Sequence, residues 1–259
     1  MRKSITLALS AAATLYVGSA DAGTEAWADR FYFQLEGGWS HAGDADIREK
    51  DPFFGFISNP NFGKGHLDDI GSSYVVGGGV GYQYTDMLRG EVVVTYRGGF
   101  ELDDRDQAPL FPFHHNADID SLAVMYNGYV DIPFAVGLFR PYVGAGVGWA
   151  RNSFDDILVR DILRPGNGPF LIPGGSDSGL AWQAMAGISA SPYPWLVLAL
   201  GYRFFDSSDL ETDAGEAIDL VDGPTGDIFP GIEGDLTAHE VIATIRIPFS
   251  TVVCGGCGS

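Results

Sequence analysis

Six charged residues carry the most pointed chemical suggestion in the chain: Glu36, Glu91, Arg97, Arg203, Glu240 and Arg246. Each stands in an alternating stretch, on the side that also carries glycines and small polar residues. Three carboxylates and three guanidiniums on inward faces suit one chemistry, mutual neutralisation in a closed core, because a buried charge without a partner is expensive. Partner exchange that gates a narrow pore is the alternative use of the same residues.

Other residues invite a chemical reading and do not sustain it. His114 and His115 sit beside Asp103, Asp104 and Asp106, but adjacent histidines rarely converge on a metal without a third fixed ligand. Asp209, Glu211 and Asp213 begin like a calcium loop. Glycine is missing at the sixth position, and Leu220 stands where the twelfth-position glutamate belongs. Cys254 and Cys257 form a C-x-x-C without the strand and helix of a redox motif. His239 adjoins Glu240, yet strand neighbours point to opposite faces, and no serine lies two residues from His239. No catalytic residue, metal or cofactor is expected.

The elements that hold these residues are strands. Eight segments of roughly ten residues alternate with turn and loop chemistry: 30–42, 73–85, 88–100, 120–132, 140–152, 179–191, 195–206 and 236–249. Their connections alternate too. Three are short ("DM", "PFAVGLF", "PYP"), and four run to about twenty or thirty residues, all at the same end of an up-and-down meander. The long ones (43–72, 101–119, 153–178 and 207–235) hold 24 acidic and 6 basic residues, most of the excess acidity of a chain whose net charge is −19. That sign argues against a nucleic-acid partner. The first 22 residues read as a cleaved secretory signal: Arg2 and Lys3, then "ITLALSAAATLYV", then Ala20 and Ala22 before the cut.

The faces decide between a soluble and a membrane barrel. One face carries Phe31, Phe33, Leu35, Val92, Val94, Val143, Val147, Leu198 and Leu200; the other carries the six charges and the glycines. An eight-stranded interior cannot hold Trp, Phe and Tyr from every strand. Placing the arginines against lipid would cost about 2–4 kcal/mol each near the midplane. The apolar face therefore faces lipid. The expected fold is all-β: an eight-stranded antiparallel up-and-down transmembrane β-barrel with short periplasmic turns and long extracellular loops. It spans 23–249 and is followed by a short cysteine-containing tail, 250–259. Trp39, Tyr96 and Trp149 towards the loops, and Tyr84, Tyr129, Trp195 and Phe249 towards the turns, are assigned to interfacial aromatic belts.

The run of "YVVGGGVGYQYT", "RGEVVVTYR", "NGYVDI", "RPYVGAGVGWA", "WQAMAGIS" and "LGYRFFD" resembles the OmpA-like and opacity-type small outer-membrane barrels of the porin family, from about residue 30 to 249. The resemblance implies a monomer in a Gram-negative cell outer membrane. Its implied partners are outer-membrane lipid and lipopolysaccharide, the barrel-assembly machinery, and an extracellular or host ligand. Members usually stop at the terminal aromatic, whereas here "STVVCGGCGS" follows Phe249. The expected role is envelope integrity and surface contact through acidic loops. A narrow passive pore and a lipid-modifying enzyme are the alternatives.

Overall fold

The computed structural model describes residues 30–42, 48–49, 72–105, 113–134, 136–161, 170–172, 174–211, 215–220, 223–229 and 232–253. The signal segment 1–22, Asp106, Asp213, Cys254 and Cys257 lie outside the described residues, and of Asp103, Asp104, His114, His115, Asp209 and Glu211 only the backbone is described.

In chain order the strands are β1 (Phe31–Ala42), β2 (Arg48–Glu49), β3 (Ser72–Gln83), β4 (Leu88–Arg105), β5 (Phe113–Asp131), β6 (Phe139–Phe154), β7 (Ile157–Asp161) and β8 (Phe170–Ile172). Then follow β9 (Gly175–Tyr193), β10 (Leu196–Glu211), β11 (Gly215–Asp219), β12 (Gly223–Phe229), β13 (Ile232–Pro248) and a helical turn α1 (Phe249–Val253). Eight of them, β1, β3, β4, β5, β6, β9, β10 and β13, form a closed antiparallel barrel. The seam is β1 on β13, registered from Tyr32 opposite Pro248 to Ala42 opposite Ala238. Closure leaves no open edge in the membrane-spanning wall, which hydrocarbon requires.

Register fixes the barrel's shape. Stepping across paired residues from Tyr32 leads through Gly81, Glu91, Asn127, Gly146, Gln183, Phe205 and Ala238 and returns to β1 at Ala42, ten residues further along. With strands about 4.8 Å apart and a rise of about 3.3 Å per residue, that shift tilts the strands by about 40°.

The turns follow from local chemistry. Between β3 and β4 the Thr85 hydroxyl accepts the backbone N–H groups of Met87 and Leu88, at 3.2 and 3.0 Å. Between β5 and β6, Val136 and Phe139 exchange backbone bonds around Gly137, whose φ of 66° is open to glycine. At the other end the long connections are not structureless, as their composition suggests. β4, β5 and β9 run to 18 or 19 residues, well past the expected ten. Beyond the barrel β5 pairs with β7, β7 with β8, β8 with β11 and β11 with β12, while β2 pairs with β13. Pairing between loops far apart in sequence leaves no local trace, so composition alone reads them as coil. The last strand also ends earlier than its pattern suggests. Pro248 closes β13, and Phe249 opens α1.

Inward and outward faces alternate along every barrel strand. Leu35, Val147 and Leu180 are 66%, 62% and 64% exposed on the wall, whereas Val93, Ala123 and Met125 are fully enclosed. On β6, Gly144, Gly146 and Gly148 face inward because β5 needs their space. A Cβ on Gly146 would overlap Asn127 Oδ1, one on Gly144 the Tyr129 ring, and one on Gly148 Met125 and the Val124 carbonyl. Gly146→Val is therefore expected to lower unfolding free energy by about 1–3 kcal/mol. Gly128→Ala, which meets nothing within 4 Å, is expected to change it by less than about 0.5 kcal/mol. Denaturant titration of the vesicle-inserted barrel checks both.

Candidate functional site

The lumen is filled by two charged clusters and an apolar cap. Nearest the turn rim, Arg89 Nη1 pairs with Glu91, and its Nε reaches Asp131 Oδ2 at 3.2 Å. Tyr32 donates its hydroxyl to Glu91 Oε1 at 2.6 Å. The Arg89 guanidinium lies 3.7 Å above the centre of the Tyr129 ring and 5.1 Å from that of Tyr142, a cation–π arrangement that replaces lost hydration.

Deeper in, one carboxylate serves two arginines. Glu240 accepts from Arg97 Nε at 2.7 Å through Oε1 and from Arg203 Nε through Oε2. Arg203 Nη1 also donates to Glu36 Oε1 at 2.8 Å, and Thr95 donates to the same oxygen at 3.0 Å. Two carboxylates and two guanidiniums balance, as a water-poor interior demands. The Arg97 guanidinium stacks 3.5 Å from the centre of the Phe205 ring. Above it Phe205 packs with Ala123, Met125, Ala150, Ala181 and Ala238. Ile119 and Leu236 are also fully buried. A polar pair, Gln183 Nε2 to Asn127 Oδ1 at 2.6 Å, joins β9 to β5 over Gly146 of the intervening β6.

The six expected network residues separate. Glu36, Arg97, Arg203 and Glu240 meet in the deep cluster, and Glu91 belongs to the cluster at the turn rim. Arg246 joins neither. It lies 5.8 Å from the Tyr32 ring, and among the described residues no carboxylate is within ion-pair distance. It lines an opening of about 480 Å³ at the turn rim with Gln83, Asp86, Asp131 and Arg140. The cation that Glu91 uses is Arg89, outside the expected set and two residues away on the same face of β4. Its odd number, shared with Glu91 and Arg97, was the available signal.

Among the belt residues, Trp39 and Trp149 are exposed at the loop rim with Tyr96 half-buried, and Tyr84 and Trp195 are exposed at the turn rim. Phe249 packs on Phe33 with ring centres 5.4 Å apart. Tyr129 is a correction. It is 9% exposed and points into the lumen, where its hydroxyl donates to Met185 Sδ at 3.2 Å and its face receives Arg89. Parity with Asn127 and Asp131 places it inside, whatever its ring type suggests.

Two histidines meet on the outer wall. His41 and His239 are directly opposite across the β1–β13 seam, both exposed. His41 Nδ1 lies 3.3 Å from Ser72 Oγ, and His239 Nδ1 lies 2.6 Å from the Tyr202 hydroxyl. Sequence inspection found no serine for a histidine, since Ser72 comes from another strand. Among the described residues neither imidazole is hydrogen-bonded to a carboxylate, so the orienting member of a Ser-His-acid arrangement is not assembled.

A closed eight-stranded wall, apolar outside and ion-paired inside, defines a small membrane barrel. The model of the family described as outer membrane protein beta-barrel domain matches residues 5–219, and the chain belongs to that family. It is 30% identical over 148 residues to an uncharacterized protein of Brucella suis biovar 1, covering 52% of this chain and 51% of that one. An uncharacterized protein of Brucella abortus (strain 2308) is 31% identical over 147 residues, with the same shares covered. The chain spans about half the length of these curated relatives. Among solved structures it is similar to Neisserial surface protein A, at 15% identity and a TM-score of 0.45, covering 84% of this chain and 96% of that one. It is also similar to OprG from Pseudomonas aeruginosa, at 14% identity and a TM-score of 0.43, covering 85% and 97%.

The shared carboxylate generates a prediction. Glu240→Gln leaves Arg97 buried without a counter-charge and is expected to cost about 3–5 kcal/mol of unfolding free energy. Replacing Arg97 and Glu240 together by leucine is expected to recover most of that loss. Equilibrium unfolding of the three proteins in the same vesicles tests the difference.

Proposed function

We propose that this barrel is a non-conducting anchor of the outer membrane whose role is envelope integrity and contact at the cell surface. One observation carries the reading. Arg97, Phe205, Ile119, Met125, Leu236, Gln183 and Glu91 are all large, fully enclosed side chains distributed through the lumen. A lumen filled in this way leaves no continuous aqueous path, as expected of eight strands. The wall then serves as a membrane anchor, and the exported face offers loops in which acidic residues outnumber basic ones by 24 to 6. Export through the cleaved segment 1–22, assembly by the barrel machinery and a monomeric state complete the reading. The surface ligand fits as a cationic or cation-bridged molecule by charge complementarity.

Planar-bilayer recording tests this directly. The purified barrel is expected to give no resolved openings, whereas Phe205→Gly with Leu236→Gly, which empties the apolar cap, is expected to conduct. Steady openings of the unmodified protein would establish the narrow-pore alternative instead.

The enzyme alternative has its own readout. Lipid A incubated with the folded barrel is expected to be recovered with its acyl chains intact. Fatty-acid release that disappears in Ser72→Ala and His41→Ala, or in His239→Ala, would replace the anchor reading by a lipid-modifying one.

A further inference from the structure

The turn rim holds a charge that the lumen does not neutralise. Among the described residues four arginines are buried, and three of them, Arg89, Arg97 and Arg203, each have a carboxylate within 3.2 Å. Arg246 has none, although only 7% of it is exposed. Register seats it between Gln34 of β1 and Val197 of β10, and its guanidinium carbon lies 5.8 Å from the centre of the Tyr32 ring. The Tyr32 hydroxyl is committed to Glu91. A buried guanidinium without a counter-ion is costly, and this one faces an opening through which a counter-ion can arrive.

That opening is arranged by sign. Its volume is about 480 Å³, within the range of small-ligand sites. From Arg246 on β13 its wall runs through Ser189 and Ser191 of β9 to Arg140 of β6. In the other direction, across β1, stand Asp86 in the β3–β4 turn and then Asp131 of β5. Asp131 is taken by Arg89, whereas among the described residues no cation pairs with Asp86. A smaller hollow of about 250 Å³ continues past Asp86, Asp131 and Arg140. Towards the loops the vestibule stops at the Arg89 cluster and its two tyrosine rings. A free anion such as phosphate fits poorly, because two carboxylates line the same mouth. A free cation meets two arginines. One molecule with a negative and a positive end satisfies both arcs.

We propose that the turn-rim vestibule binds a short peptide with free ends, its carboxylate on Arg246 and its ammonium on Asp86. The planar guanidinium offers a carboxylate two parallel N–H donors. β3 and β13 flank β1, so their backbones are about 10 Å apart. A peptide of two or three residues, at about 3.5 Å per residue, spans the distance left between the side chains. The turns of an outer-membrane barrel face the periplasm, so the ligand comes from that compartment and not from the cell surface. The inference goes beyond the anchor reading: conduction through the lumen would refute that reading and leave this ligand unchanged.

The test is calorimetric titration of the full barrel, in an uncharged maltoside detergent, with tri-alanine, whose side chains leave only the two ends to be read. The same peptide is used with its amino end acetylated or its carboxyl end amidated. Free tri-alanine is expected to bind in a saturable one-to-one manner. Each blocked form is expected to bind at least about tenfold more weakly, since one hydrogen bond to a charged group corresponds to about that factor. Arg246→Gln is expected to abolish the discrimination between acid and amide and to keep that between amine and acetyl. Asp86→Asn is expected to do the reverse, and Arg246→Lys to retain part of the preference for the acid. All three variants are expected to keep the heat-modifiable gel mobility of a folded barrel. No saturable heat at millimolar tri-alanine would overturn the proposal, because water alone would then serve Arg246. Equal affinity for free and blocked peptides, discrimination unchanged in the variants, or tighter binding of inorganic phosphate than of tri-alanine would overturn it as well.

Discussion

Hydrocarbon offers backbone groups no hydrogen-bond partner, and the rest of the structure depends on that constraint. It forces the sheet to close, and closure through β1 and β13 with a shift of ten residues determines which side chains share a level inside. Tilted strands carry the row that begins at Tyr32 on one rim up to Ala42 at the other. Residues far apart in sequence are thereby set side by side. Arg97 and Glu240, separated by 143 positions, become partners for that reason.

Closure also inverts the ordinary rule of burial. The wall must be apolar where it touches lipid, so polar groups have only the lumen to occupy, and there each charge needs an opposite one within reach. Space inside is limited by the strand number. Glycines on β6 yield room to Tyr129, Asn127 and Met125 of β5, and alanines ring the level of Phe205. Filling and neutralisation are two aspects of one packing problem, and the loop rim and turn rim solve it differently. An apolar cap closes the first, while Arg246 and Asp131 leave the second partly open.

Alternation along the chain was enough to read the wall, the strand order and the inward position of Glu36, Glu91, Arg97, Arg203 and Glu240. Period two is a local property, and the barrel preserves it from rim to rim. What escaped was whatever depends on pairing between distant segments. β7, β8, β11 and β12 exist by pairing with one another and with the far end of β5, so composition alone reads 153–178 and 207–235 as coil. Register likewise decides that Glu91 meets Arg89 rather than Arg246, and that His41 faces His239. Tyr129 was misplaced for another reason. Its aromatic type suggests an interfacial belt and its parity the lumen, and a tyrosine suits a lumen that holds an arginine equally well.

The position of Glu240 on the last barrel strand has a consequence for the order of events during assembly. Arg97 on β4 and Arg203 on β10 stand 143 and 37 positions before their common carboxylate on β13. Until that strand docks, the incomplete sheet holds guanidiniums that Glu240 has not yet met, along with unpaired edges on β1 and β10. A partly formed wall is therefore poorly suited to lie in hydrocarbon by itself. Docking of β13 delivers the backbone partners of both edges and the carboxylate shared by the two arginines in a single event.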